Sequence, residues 1–238
     1  MTTATKVHTI SRREWLAVIA VLLIAFGLRT HDLLRVPPGL HNDEVVEAKT
    51  AESVAAGRLG VFFPEDTGAE GLHYYYAALF MHVFGNGVYA IRLPAVFLSL
   101  INLCLIWALG RRLFGPVVAI TAMAGYAVVF WPVVFGRIVS HTIMLVPVAT
   151  LAAYSFWRAR SAAGRRATAW LILSGLWLGL SFYAYTAARV LPMIFIAFGV
   201  YSVLAHRRCW RAWLRPIALI LTVALIIALP LAVYLVQN

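Results

Sequence analysis

Beyond Glu70 the chain has no acidic residue: 168 consecutive positions, Gly71 to Asn238, contain neither Asp nor Glu. All nine acids lie between Glu14 and Glu70, and eight of them between Asp32 and Glu70. Any chemistry that needs a carboxylate must therefore use this one stretch. Charged residues of both signs make up only 12% of the 238 residues, against 63% hydrophobic, and mean hydropathy is +0.85. A soluble domain is nearer ~45–50% apolar and ~25% charged. This composition excludes a disordered chain, a nucleic-acid-binding module and most cytosolic enzymes. Cysteine is scarce too. Cys104 and Cys209 lie far apart without metal or redox spacing, and no disulfide is expected. There is no HExxH, GxSxG, Walker loop or zinc spacing. No internal repeat or inverted symmetry of the transporter kind is visible, and no acid lies at mid-depth of a span beyond the first.

What the chain has is long apolar runs separated by arginines. A bilayer core of about 30 Å needs ~20 mostly apolar helical residues. Seven spans are expected: Trp15–Leu34, Leu93–Leu109, Val117–Val133, Thr142–Trp157, Ala169–Tyr185, Val190–Leu204 and Pro216–Val236. The fold class is thus an all-α integral membrane protein in a single polytopic domain. Residues 1–14 form its N-terminus, 15–34 the first span, 35–92 an outer loop and 93–238 six further spans. The first span competes with a signal-peptide reading. Arg29 stands where a small-residue cleavage site would be needed, which favours an uncleaved helix.

Alternating spans put thirteen basic residues on one side: Lys6, Arg12, Arg13, Arg111, Arg112, Arg158, Arg160, Arg165, Arg166, Arg207, Arg208, Arg211 and Arg215. That side is then cytoplasmic, with the N-terminus inside. The opposite side carries Arg29, Arg35, Lys49, Arg58, Arg92, Arg137 and Arg189.

The acidic stretch reads as a cap that hugs the membrane. Pro37-Pro38-Gly39 ends the first span. Asn42 is a good N-cap for a helix from Val45 to Ala56, closed by Gly57, with Val45, Ala48, Val54 and Ala55 at helical spacing. A second amphipathic segment, Leu72–Val83, opens with Tyr74, Tyr75 and Tyr76, and aromatic rings favour the interface. Asp43 and Glu44 could simply offset the helix dipole, worth ~0.3–1 kcal/mol. His41, Asp43 and Glu47 could offer metal ligands, but their spacing matches no known cage. A catalytic base beside an anion site is the third reading. Arg137 and Arg189 have no acid near them in sequence, and charges at membrane depth default to functional candidates. Arginine's planar fork suits phosphate. Arg92 reads as the start of a span. Gly175 and Gly179 form a GxxxG pair, and Thr121 with Gly125 a similar one, for close helix approach.

Together these residues resemble the membrane glycosyltransferases of the GT-C fold. The likeness is to bacterial relatives of the protein O-mannosyltransferases and the lipid A aminoarabinose transferase. It rests on Pro37-Pro-Gly-Leu-His-Asn-Asp43-Glu44, Glu70-Gly-Leu-His-Tyr-Tyr-Tyr76, Ala90-Ile-Arg92-Leu-Pro94, Gly110-Arg-Arg-Leu-Phe-Gly115, Gly136-Arg137-Ile and Tyr185-Thr-Ala-Ala-Arg189-Val-Leu-Pro192. It runs from about Trp15 to Asn238. The resemblance implies transfer of a sugar from a polyprenyl-phosphate donor to an acceptor on the outer face of a bacterial plasma membrane. Asp43 would be the general base and Glu44 would orient acceptor or sugar. Arg137 or Arg189 would hold the donor phosphate, and His41, Glu70, Tyr74 and His141 would contact substrate. No cofactor is implied. Relatives carry a second acid soon after the residue matched by Arg137, where this chain reads Ile138-Val-Ser-His141-Thr142. That argues against a metal shared between two loops, unless His141 replaces the acid. Relatives usually continue into further C-terminal spans, so the expected partners are the donor, membrane lipids and a subunit supplying those helices, with no nucleic acid. The alternative is a GT-C-like membrane protein that binds lipid carrier or a partner without catalysis.

Overall fold

The structure, a computed structural model, describes residues 9–64, 69–206 and 210–237. Lys6, Glu65, Asp66, Arg207, Arg208 and Cys209 lie outside the described residues. Cys104 is a free, exposed thiol.

Helix α1 (Arg12–Thr30) starts at Ser11, whose side chain accepts from the Glu14 amide at 3.1 Å. It stops four residues short of the expected Leu34. Asp32 adopts a left-handed φ of 52°, so the helical ladder cannot continue past it. Helix α2 (Asn42–Ala55) begins three residues earlier than expected and is capped by His41, not Asn42. The His41 N–H donates to Glu44 Oε2 at 3.0 Å, the return half of a capping box. The buried face of α2 is also not the expected one. Glu44, Glu47, Ala51 and Val54 point inward, whereas Val45 and Ala48 are half-buried and Ala55 is exposed. Two acids therefore occupy the core side of the helix.

A short hairpin follows, with β1 (Phe62–Phe63) antiparallel to β2 (Ala69–Glu70) and Phe62 opposite Glu70. Helix α3 (Leu72–Phe84) closes the segment. Ala51, Val54, Phe63, Tyr74, Ala77 and Met81 pack it together against Ile91 and Val139. The acidic stretch is thus a packed layer seated on the start of helix α4 (Val88–Phe114).

Among the described residues, four segments are long and apolar enough to cross a membrane: α4, His141–Arg160, Thr186–Ala205 and helix α10 (Trp210–Gln237). The segment His141–Arg160 is a 3-10 turn, His141–Met144, running into helix α7 (Leu145–Arg160). Thr186–Ala205 is likewise a 3-10 turn, Thr186–Val190, leading into helix α9 (Leu191–Ala205). Charges at the ends of α1 and of helix α8 (Gly164–Ser181) lower their apolarity. The expected third span, Val117–Val133, is broken. Helix α5 (Pro116–Val128) has 13 residues, Val129 is extended, and helix α6 (Phe130–Phe135) follows it. Exposed Leu16, Leu23, Leu225 and Ile226 give α1 and α10 the apolar outer surface that lipid requires.

Gly175 and Gly179 let α8 lie directly on α10. A Cβ at these positions would stand 2.7 Å from Val223 Cβ and 2.5 Å from Ile227 Cβ respectively. Gly125 plays no such part, because a Cβ there would meet nothing within 4 Å.

Candidate functional site

Three buried arginines gather around the end of α1, and two of them, Arg92 and Arg137, shape the segment that leads to α2. Arg92 is fully buried and donates to the carbonyls of Leu33 (2.9 Å), Pro37 (3.1 Å) and Gly39 (2.6 Å). The same guanidinium grips Glu44 in a fork, Nε to Oε1 at 3.2 Å and Nη2 to Oε2 at 3.1 Å. Arg137 donates to the carbonyls of Leu28 (2.6 Å), His31 (2.7 Å) and Val36 (2.7 Å). Arg29, also fully buried, binds Ser99 Oγ at 2.6 Å and the carbonyls of Ala25, Ala127 and Pro132. A turn that leaves a helix exposes carbonyls without donors, and a guanidinium offers five N–H groups in one plane. Here two side chains satisfy six such carbonyls between residues 28 and 39. Gly136 permits the approach of Arg29, since a Cβ would sit 2.9 Å from its Nε.

These contacts revise two expectations. Arg137 serves the backbone rather than an open anion site, because the carbonyls at the end of α1 are the stronger local demand. Arg92, expected only to mark a span, is the hub of the segment. Glu44 is likewise structural. Besides Arg92 it accepts from the amides of Val139 and His41, each at 3.0 Å, and it is 2% exposed. Its oxygens are fully occupied, so it positions the start of α2 instead of meeting a substrate.

One turn along, Glu47 organises a second cluster. Its Oε1 receives both the backbone N–H (3.1 Å) and the ring Nδ1 (2.7 Å) of His141. His73 Nε2 stands 3.2 Å from Oε2, at ion-pair distance but off the line of a hydrogen bond. Burial favours the neutral acid, but the bond from His141, the closeness of His73 and the charge on both rings outweigh it and hold the carboxyl at about 2. Glu70, placed by β2 and 1% exposed, accepts from Thr186 Oγ1 at 3.0 Å, while its Oε2 is buried with no hydrogen bond among the described residues. The rings of His141 and Tyr185 lie 5.3 Å apart. The hairpin, α2 and both 3-10 turns thus converge on one polar cluster. The charges of Glu47, Glu70 and Asp43 all act on His141 there.

Asp43 is exposed at the first turn of α2 and has no hydrogen bond among the described residues. Arg189, exposed at the end of the turn that also carries Thr186, has none either. His41 is exposed at the N-cap, and Glu47 faces the opposite way, so the trio His41, Asp43 and Glu47 is not brought together. Among the described residues, no group of three or more His, Cys, Asp or Glu side chains is arranged to hold a metal. Tyr74, expected to meet substrate, is a core residue, 4% exposed and edge-on to Phe63 at 5.2 Å. Its neighbour Tyr75 instead closes the loop by bonding the N–H and carbonyl of Gly60.

His73, Thr186 and the burial of Glu47, which the sequence offers only as a metal ligand beside His41 and Asp43, are not foreseen. A signal for Glu47 did exist. Glu44, Glu47, Ala51 and Val54 share one helical stripe, and acids in the apolar stripe of a helix must be buried with partners. Beside the cluster is a mostly apolar cavity of about 570 Å³, bounded by Leu59, Val61, Leu72, Leu180, Tyr183 and Ile227. The Leu72 N–H donates to the Tyr183 carbonyl at 3.0 Å, which ties this wall to the segments bearing Glu70 and Thr186.

Residues 72–234 match the sequence profile described as dolichyl-phosphate-mannose-protein mannosyltransferase. No curated protein matches the sequence. Among solved structures, the crystal structure of ArnT from Cupriavidus metallidurans bound to undecaprenyl phosphate is similar, with TM-score 0.64 at 18% identity. The alignment covers 95% of this chain and 41% of that one, so the chain spans well under half the length of its structural neighbour. At this identity the likeness is one of fold.

Proposed function

The chain belongs to the dolichyl-phosphate-mannose-protein mannosyltransferase family, and from that premise we propose that it is a membrane glycosyltransferase, or the catalytic module of one, which takes a sugar from a polyprenyl-phosphate carrier. The observation that carries this reading is a contrast in engagement. Around the polar cluster Glu44, Glu47, Glu70, Arg92 and Arg137 are bound to protein groups, while Asp43 and Arg189 are not. Asp43 is then a base, and Arg189 a cation, open to a ligand.

In this mechanism the acceptor hydroxyl attacks the anomeric carbon of the donor as the bond from that carbon to the phosphate oxygen breaks. Asp43 takes the hydroxyl proton. Arg189 holds the departing phosphate and stabilises the charge it gains. A phosphate leaves as an anion without a strong general acid, which suits a chain with all its carboxylates except Glu14 in the one stretch from Asp32 to Glu70. His141, fixed through Nδ1 by Glu47, keeps Nε2 for a hydrogen bond to sugar or acceptor. The apolar cavity beside the cluster receives the first isoprene units of the carrier. Arginine-rich loops on one side orient the cluster to the outer face of the membrane.

The test uses the full chain in native membranes or nanodiscs. Transfer from polyprenyl-phosphate sugars to acceptors in those membranes is followed beside donor retention by native mass spectrometry. Asp43→Asn should cut transfer by about 10²–10⁴-fold while donor retention persists. Arg189→Ala should lose the donor itself. Unchanged transfer in Asp43→Asn overturns its role as base. Donor retained without transfer to any acceptor would make the chain a carrier-binding module.

A further inference from the structure

The opposite end of the bundle holds a second cavity, of about 620 Å³. Ile10, the end of α4 with Arg111 and Arg112, Pro116 of α5, and Tyr154 and Arg158 near the end of α7 bound it. Its position is fixed by Glu14 at the start of α1, which pairs with Arg111 at 2.6 Å, and by Trp15, whose ring lies 5.5 Å from that of Trp107. Arg92 and Leu33 meet at the other ends of these same two helices, so the cavity and the polar cluster are separated by the length of α4.

This end is rich in cations and poor in anions. Glu14 is 7% exposed and its carboxylate is held by Arg111 through two contacts. Arg112 and Arg158 are half-buried and repel each other, and neither has a carboxylate partner among the described residues. Apart from Glu14, the sequence offers this end no acid, since positions 1–13 and 71–238 contain neither Asp nor Glu. Arg158 is held in place from behind, its guanidinium 5.0 Å from the centre of the Trp170 ring. Two like charges kept together beside an apolar rim of Ile10, Leu113 and Phe114 are costly unless an anion joins them. The planar fork of arginine fits phosphate oxygens, and basic pockets between helices at the cytoplasmic side suit anionic headgroups.

We propose that Arg112 and Arg158 form a binding site for the phosphate of an anionic phospholipid of the inner leaflet, whose headgroup occupies this cavity and whose chains run along the apolar rim. The site is independent of the transfer reaction and sits at the other end of the molecule.

The full chain is reconstituted in nanodiscs of phosphatidylcholine with graded phosphatidylglycerol, and the lipid retained after mild detergent release is counted by native mass spectrometry. Wild type should retain phosphatidylglycerol, and Arg112→Gln/Arg158→Gln should weaken that retention at least tenfold. Arg165→Gln/Arg166→Gln removes the same charge from exposed positions at this end and should retain lipid as wild type does. Retention by the first pair equal to wild type, or equal loss in both pairs, overturns the site. Millimolar inorganic phosphate should not displace the lipid; full displacement would reassign the site to soluble phosphate. Should the double variant fail to fold, Arg112→Gln alone, which relieves the repulsion, must still lose retention several-fold. Wild-type retention there overturns the proposal.

Discussion

The two ends of the helical bundle treat arginine in opposite ways. At the end carrying the polar cluster, Arg29, Arg92 and Arg137 are buried, and their guanidiniums are filled by backbone carbonyls and, for Arg92, one carboxylate. At the other end Arg112 and Arg158 face a cavity with no acid to meet them. The difference lies in the backbone. Where the chain leaves α1 and wanders through residues 31–41 before α2, it presents free carbonyls, and arginine is the natural donor. Where helices end in short turns, few such acceptors are offered, and the charge remains for something outside the chain. In a protein with so few acids, irregular backbone takes over the work that carboxylates do elsewhere.

Breaking the filled end should have the largest effect. Arg92→Ala strips Glu44 of its partner and three carbonyls of their donor. Leaving a buried charge uncompensated costs about 3–5 kcal/mol, so thermal melts in detergent should show a sharp loss of stability. Adding Glu44→Leu to that variant should recover part of it, since the orphaned charge is then gone.

Acid titration sharpens the same region. Glu47 is held at about 2, against 4.5 for the free side chain, so its contribution is complete above pH 4.5 and is lost as the pH falls through 2. A shift of this size corresponds to about 3 kcal/mol. Wild type should lose stability across that window, and Glu47→Gln, less stable at neutral pH, should lose less there. A wild type and variant with parallel acid profiles would show that the cluster does not hold Glu47 ionised.

The smallest effects compare single arginines across the two ends. Arg137→Ala should cost about 1.5–3 kcal/mol, the range for hydrogen bonds from a charged donor. Arg112→Gln in lipid-free detergent should stay within about 0.5 kcal/mol of wild type. Equal losses would erase the distinction between filled and unfilled arginines.

Much of this architecture is legible in the sequence, and its gaps have physical causes. The α3 segment, expected at Leu72–Val83, ends one residue later, because apolar periodicity and Gly85 define it locally. The inner packing of Gly175 and Gly179 is also readable, since two glycines one turn apart leave a groove that only a close helix fills. The backbone bonds of Arg137 have no local signal, because its partners lie 101 to 109 residues away and are carbonyls, which every residue has and no motif announces. The burial of Tyr74 is likewise hidden, since a tyrosine suits both an interface and a core, and the fold of the hairpin that brings Phe63 against it decides between them. The break at Val129 has a local cause in Pro132, which has no N–H to carry the ladder back to Val128 and falls in the first turn of α6; the Ala127 and Pro132 carbonyls there accept from Arg29. The exposed first turn of α2 that carries Asp43 is readable locally, whereas the Glu47–His141 pairing joins residues 94 positions apart and has no local signature.

The reach of Arg137 has a consequence for how the protein is made. Its guanidinium closes on the Leu28 carbonyl across 109 residues of sequence. At ~5–20 residues per second of synthesis, the turn after α1 exists for roughly 5 to 20 seconds before the side chain that fixes it leaves the ribosome. Arg92 arrives sooner, 48 residues behind Glu44. The contacts that Arg92 and Arg137 make around the stretch bearing Asp43 therefore cannot form until each arginine has been synthesised, Arg92 first and Arg137 second.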